Sequence, residues 1–340
     1  MRILVTGSQG YLGGAVVPTL VLAGHDVVGL DSGWFANCTF SEPPSEKGLL
    51  QVDLRDVRPE HLQHFDAVVH LAALSNDPLG DLDPDITHEL NHRQSVRLAE
   101  LARDAGVQRF IYSSTCSVYG ATGIDTLVNE DAPLRPVTAY AVSKVRAEED
   151  IHALAGSAFT TVALRNATVY GLAARLRADL VVHDLAVAAV HTGTAVVRSD
   201  GTPWRPLVHV QDVAEAFLAI LSADAKTVTG ASFNTGRQGE NHRVAEIARI
   251  VAAAAGAKVE ITGETGADPR SYRVDFSRLR QAVPSFAPSW TLERGAREVV
   301  AAIRSSPLLS GDYRDRFVRL RQLAALQRAG RLGADLRWLG

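Results

Sequence analysis

Tyr140 and Lys144 are the two side chains whose types and spacing suggest catalysis most directly. They stand four residues apart in a segment with helical periodicity, predicted as a helix over 139–155, so both project from one face. An ammonium beside a phenol favours the phenolate and lowers a pKa that starts at about 10. Such a pair can act as a general acid and base near neutral pH. The structural alternative is a Tyr/Lys pair that lies on an amphipathic helix without a chemical role.

A glycine-rich segment near the N-terminus has the spacing of a dinucleotide-binding turn. It follows a predicted strand and opens a predicted helix, so the helix N-terminus faces bound phosphates. Glycine at position 7 permits the tight turn, glycine at 10 lets the backbone approach a pyrophosphate, and glycine at 13 lets the helix pack close to the sheet. A plain turn is the alternative. The candidate cofactor contacts are Gly7, Gln9, Gly10, Tyr11, Leu12 and Gly13.

Two acidic residues follow the next predicted strands. Asp31 ends the second strand, 18 residues past Gly13, where a carboxylate can accept hydrogen bonds from an adenosine ribose. It would repel a 2′-phosphate, which favours NAD over NADP, although Asp31-Ser32-Gly33 is also a good turn sequence. Asp53 either contacts the adenine, together with Leu54, or caps a helix before Val57.

The first half of the chain has the pattern of a scaffold that could position these side chains. Short apolar runs rich in β-branched residues alternate with longer helical patterns, which indicates βαβ units and a parallel sheet. The predicted strands are 3–6, 26–30, 49–52, 67–71, 109–113 and 161–165, and the predicted helices are 11–23, 84–105 and 139–155. We therefore expect an α/β fold with a Rossmann-type doubly wound parallel sheet.

The rhythm becomes less regular after Gly171. Helices are predicted at 180–192, 210–223 and 244–255, separated by segments that contain Gly, Pro and Asp. We expect a dinucleotide-binding domain over residues 1–171, to which some later segments return. A smaller α/β substrate lobe then covers 172–309, and a helical tail covers 310–340.

The tail interleaves seven arginines with apolar residues at helical spacing. The pattern predicts an amphipathic helix that covers an apolar surface, either on its own lobe or on another subunit. RNA binding is poorly supported, because aromatic residues for base stacking are nearly absent. The apolar positions are Phe317, Leu320, Leu323, Leu326 and Leu332.

The composition excludes several classes of partner. A net charge of -3 gives no general attraction to nucleic acid or to acidic membranes. Cys38 and Cys116 are too few for a disulfide framework and lack the spacing of a metal site. The sequence contains neither a secretory signal nor an apolar run of about 18 residues. We expect a cytoplasmic protein that binds neither nucleic acid nor membranes.

Ordered motifs along the chain resemble the extended short-chain dehydrogenase/reductases. Within them the chain is most similar to the NAD-dependent sugar-nucleotide epimerase/dehydratase branch, and to its UDP-glucose 4-epimerase-like members. The resemblance runs from residue 1 to about residue 305. It rests on Thr6-Gly7 with the following glycines, His70-Leu71-Ala72-Ala73, SSTCSVYG at 113–120, the Tyr140/Lys144 pair, LRNATVYG at 164–171 and WRPLVHVQDV at 204–213.

The resemblance implies roles for the catalytic and cofactor residues. The hydroxyl of Thr115 would bond the sugar oxygen that is oxidised, and Tyr140 would be the acid and base. Lys144 would tune Tyr140 and hold the nicotinamide ribose. NAD is the implied cofactor, and the further implied contacts with it are Leu71, Ala72, Ala73 and Ser113.

The resemblance also implies a nucleoside-diphosphate sugar as substrate. Arg205 falls where the family places an arginine on the diphosphate, a role suited to a planar fork of donors; the alternative is a surface arginine before a strand. A second arginine is usual where Thr265 stands, and Arg270 or Arg273 is the candidate substitute. Thr168 occupies a position that is often asparagine in relatives, and Ser117 is a further candidate contact.

Three weaker constellations remain. Ser75 and Asn76 follow the fourth predicted strand, where open α/β folds bind ligands, but a capped turn explains them equally well. His88 and His92 stand four apart but have no third ligand, so we predict no metal site. Cys116 has no assigned base and is interpreted as a small packing residue.

These observations favour C4 epimerisation of a nucleoside-diphosphate hexose through a transient 4-keto sugar. The family's 4,6-dehydratases carry aspartate and glutamate after the active-site threonine, and its decarboxylases carry a glutamate in the second of those places. Cys116 and Ser117 stand there in this chain. The alternatives are a 4-keto-sugar-nucleotide reductase, a dehydratase or decarboxylase of the same family, and a non-catalytic NAD-sensing protein. We expect a homodimer.

Overall fold

The α/β fold predicted from the sequence is confirmed. The computed structural model describes residues 1–41, 46–75, 83–121, 126–264, 270–309 and 313–339. Its strands are β1 (Arg2–Thr6), β2 (Asp26–Asp31), β3 (Gly48–Gln51), β4 (Ala67–His70), β5 (Arg109–Thr115), β6 (Leu127–Val128), β7 (Thr160–Asn166), β8 (Thr168–Tyr170), β9 (Thr194–Val197), β10 (Trp204–His209), β11 (Ala231–Thr235), β12 (Asn241–Arg243), β13 (Lys258–Ile261) and β14 (Arg273–Val274).

The helices match the predicted segments closely where those were long and periodic. The predicted helix 84–105 is continuous, except that its middle turn, Glu89–Arg93, is π-helical. The helices are α1 (Gly13–Leu22), α2 (Pro84–His88), α3 (Gln94–Asp104), α4 (Ala139–Ala153), α5 (Val181–Thr192), α6 (Val210–Ser222), α7 (Ala225–Val228), α8 (Val244–Ala255), α9 (Ser277–Ala282), α10 (Leu292–Ser305), α11 (Tyr313–Phe317) and α12 (Arg319–Arg328).

Seven strands form one parallel sheet in the order β11-β7-β5-β4-β1-β2-β3. All residues of β4 and β7 are buried, as expected for a parallel sheet that is covered on both faces. Since the strands are parallel, their carboxyl ends meet at one edge. That edge brings together the ends of β1, β2, β4 and β5, which carry the predicted site residues.

Helices cover the sheet on both sides. On one face, Val5 and Ile111 pack in a cluster with Val16 of α1 and Phe217 of α6. On the other, Leu4 and Phe110 pack with residues of α3 and α4 such as Leu98 and Ile151. The strand β11 and the helix α6 both come from beyond Gly171; β11 is an edge strand of the large sheet, and α6 packs on one of its faces.

The remaining strands form small sheets. These are the three-stranded β12-β10-β8 and the pairs β13-β9 and β14-β6. A separate apolar cluster joins α5, α8 and α10, with Leu185, Val251 and Val299 in its centre. This second core supports one wall of the cavity described below.

The C-terminal tail differs from the single amphipathic helix predicted for it. It forms two helices, α11 and α12, which end before Gly330 (φ +64°), and then a turn that brings Leu332 and Trp338 together in an isolated antiparallel bridge. Its apolar side chains, among them Leu323 and Leu326, pack on Trp34, Leu74 and Leu90. The tail therefore covers loops that follow β2 and β4, a surface of the large sheet domain.

None of the helices in the described part of the chain combines the length and the apolar character that a membrane crossing requires.

Candidate active site and cofactor cleft

A cavity of about 790 Å³ opens at the carboxyl ends of the parallel strands. The volume lies toward the upper end of small-molecule sites, which span about 300–1,000 Å³. One wall consists of the glycine-rich turn and the ends of β2, β4, β5 and β7. The facing wall comes from the second lobe and the tail, including residues 177–181, 196–199 and 318–321.

The glycine-rich turn is shaped as a cradle. Gly7 has φ +72°, and a Cβ there would lie 2.7 Å from the backbone nitrogen of Ala72. A Cβ on Gly13 would lie 2.3 Å from the carbonyl oxygen of Ser8, so the first turn of α1 packs on the glycine loop itself. Gly10 lines the cavity, and a Cβ there would have only Gly7 within 4 Å. The backbone is open at the point where a pyrophosphate would approach the α1 N-terminus.

Asp31 ends β2 and lines the cavity beside that turn. Its carboxylate accepts hydrogen bonds from the backbone nitrogens of Gln9 (3.0 Å) and Gly33 (2.7 Å). Burial raises the pKa of Asp31, while these two hydrogen bonds act in the opposite direction. The Asp31 side chain therefore bonds the backbone of Gly33, as a turn-forming aspartate does, and Asp31 also lines the cavity. A contact with the adenosine ribose stays a prediction.

Asp53 and Leu54 also line the cavity, after β3. The carboxylate of Asp53 accepts from the backbone nitrogen of Arg55 (2.9 Å) and caps a short 3₁₀ helix, Leu54–Asp56. It also pairs with the Arg55 guanidinium at 2.6 Å. The cap that the sequence offered as an alternative is present, and a contact with adenine stays a prediction.

His70 fixes the segment in which Leu71, Ala72 and Ala73 line the cavity. Its ring nitrogens bond the hydroxyls of Thr6 (2.6 Å) and Ser95 (2.8 Å), which joins the ends of β1 and β4 to α3. Burial, followed by the charge of Lys144, lowers the pKa of His70 to about 3. The ring is therefore neutral and acts as a bridge between hydroxyls.

Lys144 is buried beneath the cavity on α4. Its Nζ donates to the carbonyl oxygen of Ser113 (2.8 Å) and lies 4.6 Å from the centre of the Tyr112 ring and 5.9 Å from that of Tyr140. Burial lowers the pKa of Lys144 to about 7, although the nearby Glu148 raises it. An ammonium held in this way can stabilise a phenolate at Tyr140.

Tyr140 and Thr115 reach the same cavity from different elements. Tyr140 lies in the first turn of α4 and lines the cavity. Thr138 caps this helix, because its side chain accepts a hydrogen bond from the backbone nitrogen of Ala141. Thr115 is the last residue of β5, and its Oγ accepts from the Ser117 backbone at 3.1 Å. Ser113 lines the cavity two residues earlier. The three predicted catalytic residues, Thr115, Tyr140 and Lys144, are thus brought to one place.

A buried ion pair holds α4 against the sheet one turn beyond Lys144. Arg165 of β7 donates its Nε and a terminal nitrogen to the carboxylate of Glu148. A second nitrogen of Arg165 donates to the Tyr119 hydroxyl at 3.1 Å. Burial alone would raise the pKa of Glu148, but the hydrogen bonds and charge of Arg165 outweigh it and hold that pKa below its usual range. Sequence reasoning did not assign this pair.

Asn91 is a second positioning residue that the sequence did not reveal. It lies in the π-helical turn, with its side chain bonded to both backbone groups of Leu74, at 2.8 Å and 3.0 Å. Its amide nitrogen also approaches the Ser143 hydroxyl of α4 at 3.3 Å. π-helical turns recur at functional sites, but their positions are not visible in hydrophobic periodicity.

The predicted substrate residues line the other end of the cavity. Arg205 and Arg270 are adjacent, since Arg205 donates to the carbonyl oxygen of Arg270. A guanidinium nitrogen of Arg270 lies 3.3 Å from the Ser117 hydroxyl. Arg273, the other candidate substitute, lies over the Trp204 ring and does not line the cavity. Thr265 lies outside the described residues.

Thr168 and Ser75 line the cavity as well, whereas Asn76 lies outside the described residues. Arg177 is an unpredicted neighbour: it pairs with Asp179 at 2.6 Å and approaches the Ser75 hydroxyl at 3.2 Å. Its charge also interacts with Tyr140. No spacing rule singled out Arg177, because it comes from the irregular segment before α5.

Several other predicted or considered residues lie apart from the cavity lining. The side chain of Gln9 bonds Glu46 and Arg175, and Gly13 lies behind the glycine turn. The thiol of Cys116 points to the core, where it donates to the carbonyl oxygen of Arg165, and burial raises its pKa far above the usual value. His92 pairs with Asp150. Within the described part of the chain, no group of three or more His, Cys, Asp or Glu side chains is arranged around a metal position.

Comparisons with known proteins agree with this architecture. Residues 3–236 match the NAD dependent epimerase/dehydratase family. A UDP-glucose 4-epimerase of Mycolicibacterium smegmatis is 31% identical over 316 residues, which cover 90% of this chain and 99% of that protein.

Two solved structures illustrate the range of similar proteins. MoeE5 in complex with UDP-glucuronic acid and NAD has a TM-score of 0.77 at 28% identity, over 89% of this chain and 99% of its own. The NAD dependent NDP-hexosamine 5,6-dehydratase TunA has a TM-score of 0.80 at 26% identity, over 90% and 99%. Epimerases and dehydratases therefore both occur among the similar proteins.

Proposed function

Because the chain belongs to the NAD dependent epimerase/dehydratase family, whose cofactor is NAD, we propose that it epimerises C4 of the sugar in a nucleoside-diphosphate hexose. The reaction would pass through a transient 4-keto sugar. When bound, NAD would supply reversible hydride transfer at C4, and epimerisation follows if the hydride is restored to the opposite face of the sugar. The glycine turn, Asp31 and the ends of β4 and β5 would hold the cofactor.

The side chains around the sugar would move one proton. The Tyr140 phenolate removes the proton from the C4 hydroxyl and returns it after the sugar has turned over. The Lys144 ammonium favours the phenolate, since it lies near the Tyr140 ring. The Thr115 hydroxyl bonds the same sugar oxygen and fixes its orientation. Arg205 and Arg270 bind the diphosphate at the far end of the cavity.

The observation that carries the choice of epimerisation is the chemistry beside Thr115. Elimination of water across C5 and C6 needs a base for the C5 proton and an acid for the departing hydroxyl. Cys116 stands in one of the two places, and its thiol faces the core with a raised pKa. Ser117 stands in the other and faces the cavity, but a hydroxyl is a poor acid or base at neutral pH.

The described carboxylates that line the cavity all come from segments other than the one beside Thr115. Asp31 and Asp53 lie at the cofactor end, and Asp179 is paired with Arg177. Asp184 lies beside Arg198 and Arg314, whose charges lower its pKa while burial, the larger effect, raises it. A 4-keto sugar formed here would therefore take its hydride back.

The second candidate is a reductase that acts on a 4-keto-sugar nucleotide with external coenzyme. The same Thr115, Tyr140 and Lys144 set would serve that reaction, so the fate of the coenzyme distinguishes the two. A homodimer stays a prediction.

We expect the purified enzyme to convert at least one of a panel of UDP-, dTDP- and GDP-hexoses into its C4 epimer without added coenzyme. Mass spectrometry of the freshly purified protein should find retained NAD, since the cofactor is regenerated in each cycle. Product analysis by NMR identifies the sugar. Strict dependence on added NADH or NADPH would favour the reductase instead, and a 4-keto-6-deoxy sugar as the main product would favour a dehydratase.

A further inference from the structure

Arg319, the first residue of α12, is a buried arginine that lines the cofactor end of the cavity. Only 2% of it is exposed, and its guanidinium carbon lies 4.7 Å from the centre of the Phe35 ring. Phe35 belongs to the loop after Asp31 and also lines the cavity. The tail therefore places a positively charged guanidinium against the loop that follows β2 of the large sheet domain.

One terminal nitrogen of Arg319 has no hydrogen-bond partner among the described residues. The other terminal nitrogen donates to the carbonyl oxygen of Arg175 at 3.0 Å, and the first, Nη1, is buried with none. Burial lowers the pKa of Arg319 to about 10, so the group stays protonated at neutral pH. Cys38 also lies against the guanidinium, but a thiol is a weak acceptor. A charged donor buried with so weak a partner is costly, which indicates that a stronger acceptor arrives with a ligand.

The surroundings of Arg319 place this donor beside the N-terminus of α1. Gly14, in the first turn of α1, packs so closely on the 174–175 backbone that a Cβ would lie 3.1 Å from the nitrogen of Ala174. Arg319 bonds the carbonyl oxygen of Arg175 in that same segment. The start of an α-helix after a glycine turn is where a dinucleotide pyrophosphate lies.

We propose that the guanidinium of Arg319 donates to a pyrophosphate oxygen of bound NAD, so that the tail is part of the cofactor site. The tail is well placed to keep Arg319 there. Trp338 donates to the carbonyl oxygen of Ser32 at 2.7 Å, and Arg337 pairs with Asp56 at 2.7 Å. These contacts bind it to the loops that surround the adenosine end.

The proposal depends on binding of NAD and not on epimerisation, since affinity is the quantity that it concerns.

The test is calorimetric titration of the full-length protein, freed of coenzyme, with NAD, ADP-ribose, adenosine and UDP. For Arg319→Gln we expect NAD and ADP-ribose to bind about 10- to 100-fold more weakly, the usual range for a hydrogen bond to a charged group. Adenosine, which lacks the pyrophosphate, and UDP should bind as to the wild type. The matched control is Arg328→Gln, on the exposed face of the same helix, with unchanged affinities.

Arg319→Lys keeps the charge and the buried stem, so it decides the question if Arg319→Gln does not fold. A lysine cannot bond both the Arg175 carbonyl and the phosphate in the same geometry, so we expect NAD affinity to fall about tenfold. NAD affinity within twofold of the wild type in a folded variant contradicts the proposal. So does an equal loss for adenosine, which would indicate packing, or a loss confined to UDP, which would indicate the substrate diphosphate.

Discussion

Replacement of Tyr140 by phenylalanine is expected to lower turnover by about 10²- to 10⁴-fold, the usual contribution of a general acid or base. The phenol oxygen is the only non-hydrogen atom lost, and the ring that lines the cavity is retained. The melting temperature and the affinity for NAD should therefore remain close to those of the wild type. The loss of turnover is the ratio of the initial rates of the wild type and the variant, measured with the best substrate of the panel across pH 6–9.

Tyr170→Phe is the matched control for this variant. Tyr170 is buried and does not line the cavity, and its hydroxyl has no hydrogen-bond partner among the described residues. Loss of that hydroxyl should leave turnover unchanged. Wild-type turnover in Tyr140→Phe would remove Tyr140 from the mechanism, whereas an equal loss in both variants would indicate a structural effect.

Arg165→Met is expected to lower the free energy of unfolding by about 3–5 kcal/mol, because it leaves the Glu148 carboxylate buried without its cation. The side chains of Arg165 and Glu148 are 7% and 4% exposed, so solvent cannot replace the partner. Urea denaturation followed by circular dichroism measures the change. The double variant Glu148→Gln/Arg165→Met should recover part of the loss, because no buried charge remains.

An exposed pair in the same domain provides the control. Arg93 pairs with Glu89 one turn away, but its side chain is 73% exposed, and such pairs contribute about 0–1 kcal/mol. Arg93→Met should therefore be nearly neutral. If Arg165→Met lowers the free energy of unfolding no more than Arg93→Met does, the buried pair does not stabilise the packing of α4 on the sheet.

The parts of the structure that the sequence predicted best share one property: their signal is local. The glycine turn, the strands β1 to β5 and the helix that carries Tyr140 and Lys144 are each specified by residues within one short segment. From local periodicity alone, β5 was predicted to end at Ser113, whereas the strand continues to Thr115. The two further residues make Thr115 the strand end that faces the cavity.

The parts that could not be predicted depend on partners distant in sequence. Nothing around Arg319 distinguishes it from the other arginines of the tail until Phe35 and Arg175 are placed beside it. Asn91 reads as a polar residue inside a helix until its bonds to Leu74 are known. The return of β11 to the large sheet likewise depends on its pairing with β7, about 70 residues earlier in the chain.

The most direct test of the central claim follows the hydrogen at C4 of the sugar. A nucleoside-diphosphate hexose with deuterium at C4 is incubated with the enzyme in ordinary water, without added coenzyme, and the product is examined by NMR. The account predicts a C4 epimer that keeps its deuterium at C4, because the hydride that leaves the sugar returns to the same carbon. Loss of the deuterium from C4 to solvent, or a 4-keto-6-deoxy sugar as the main product, would contradict it.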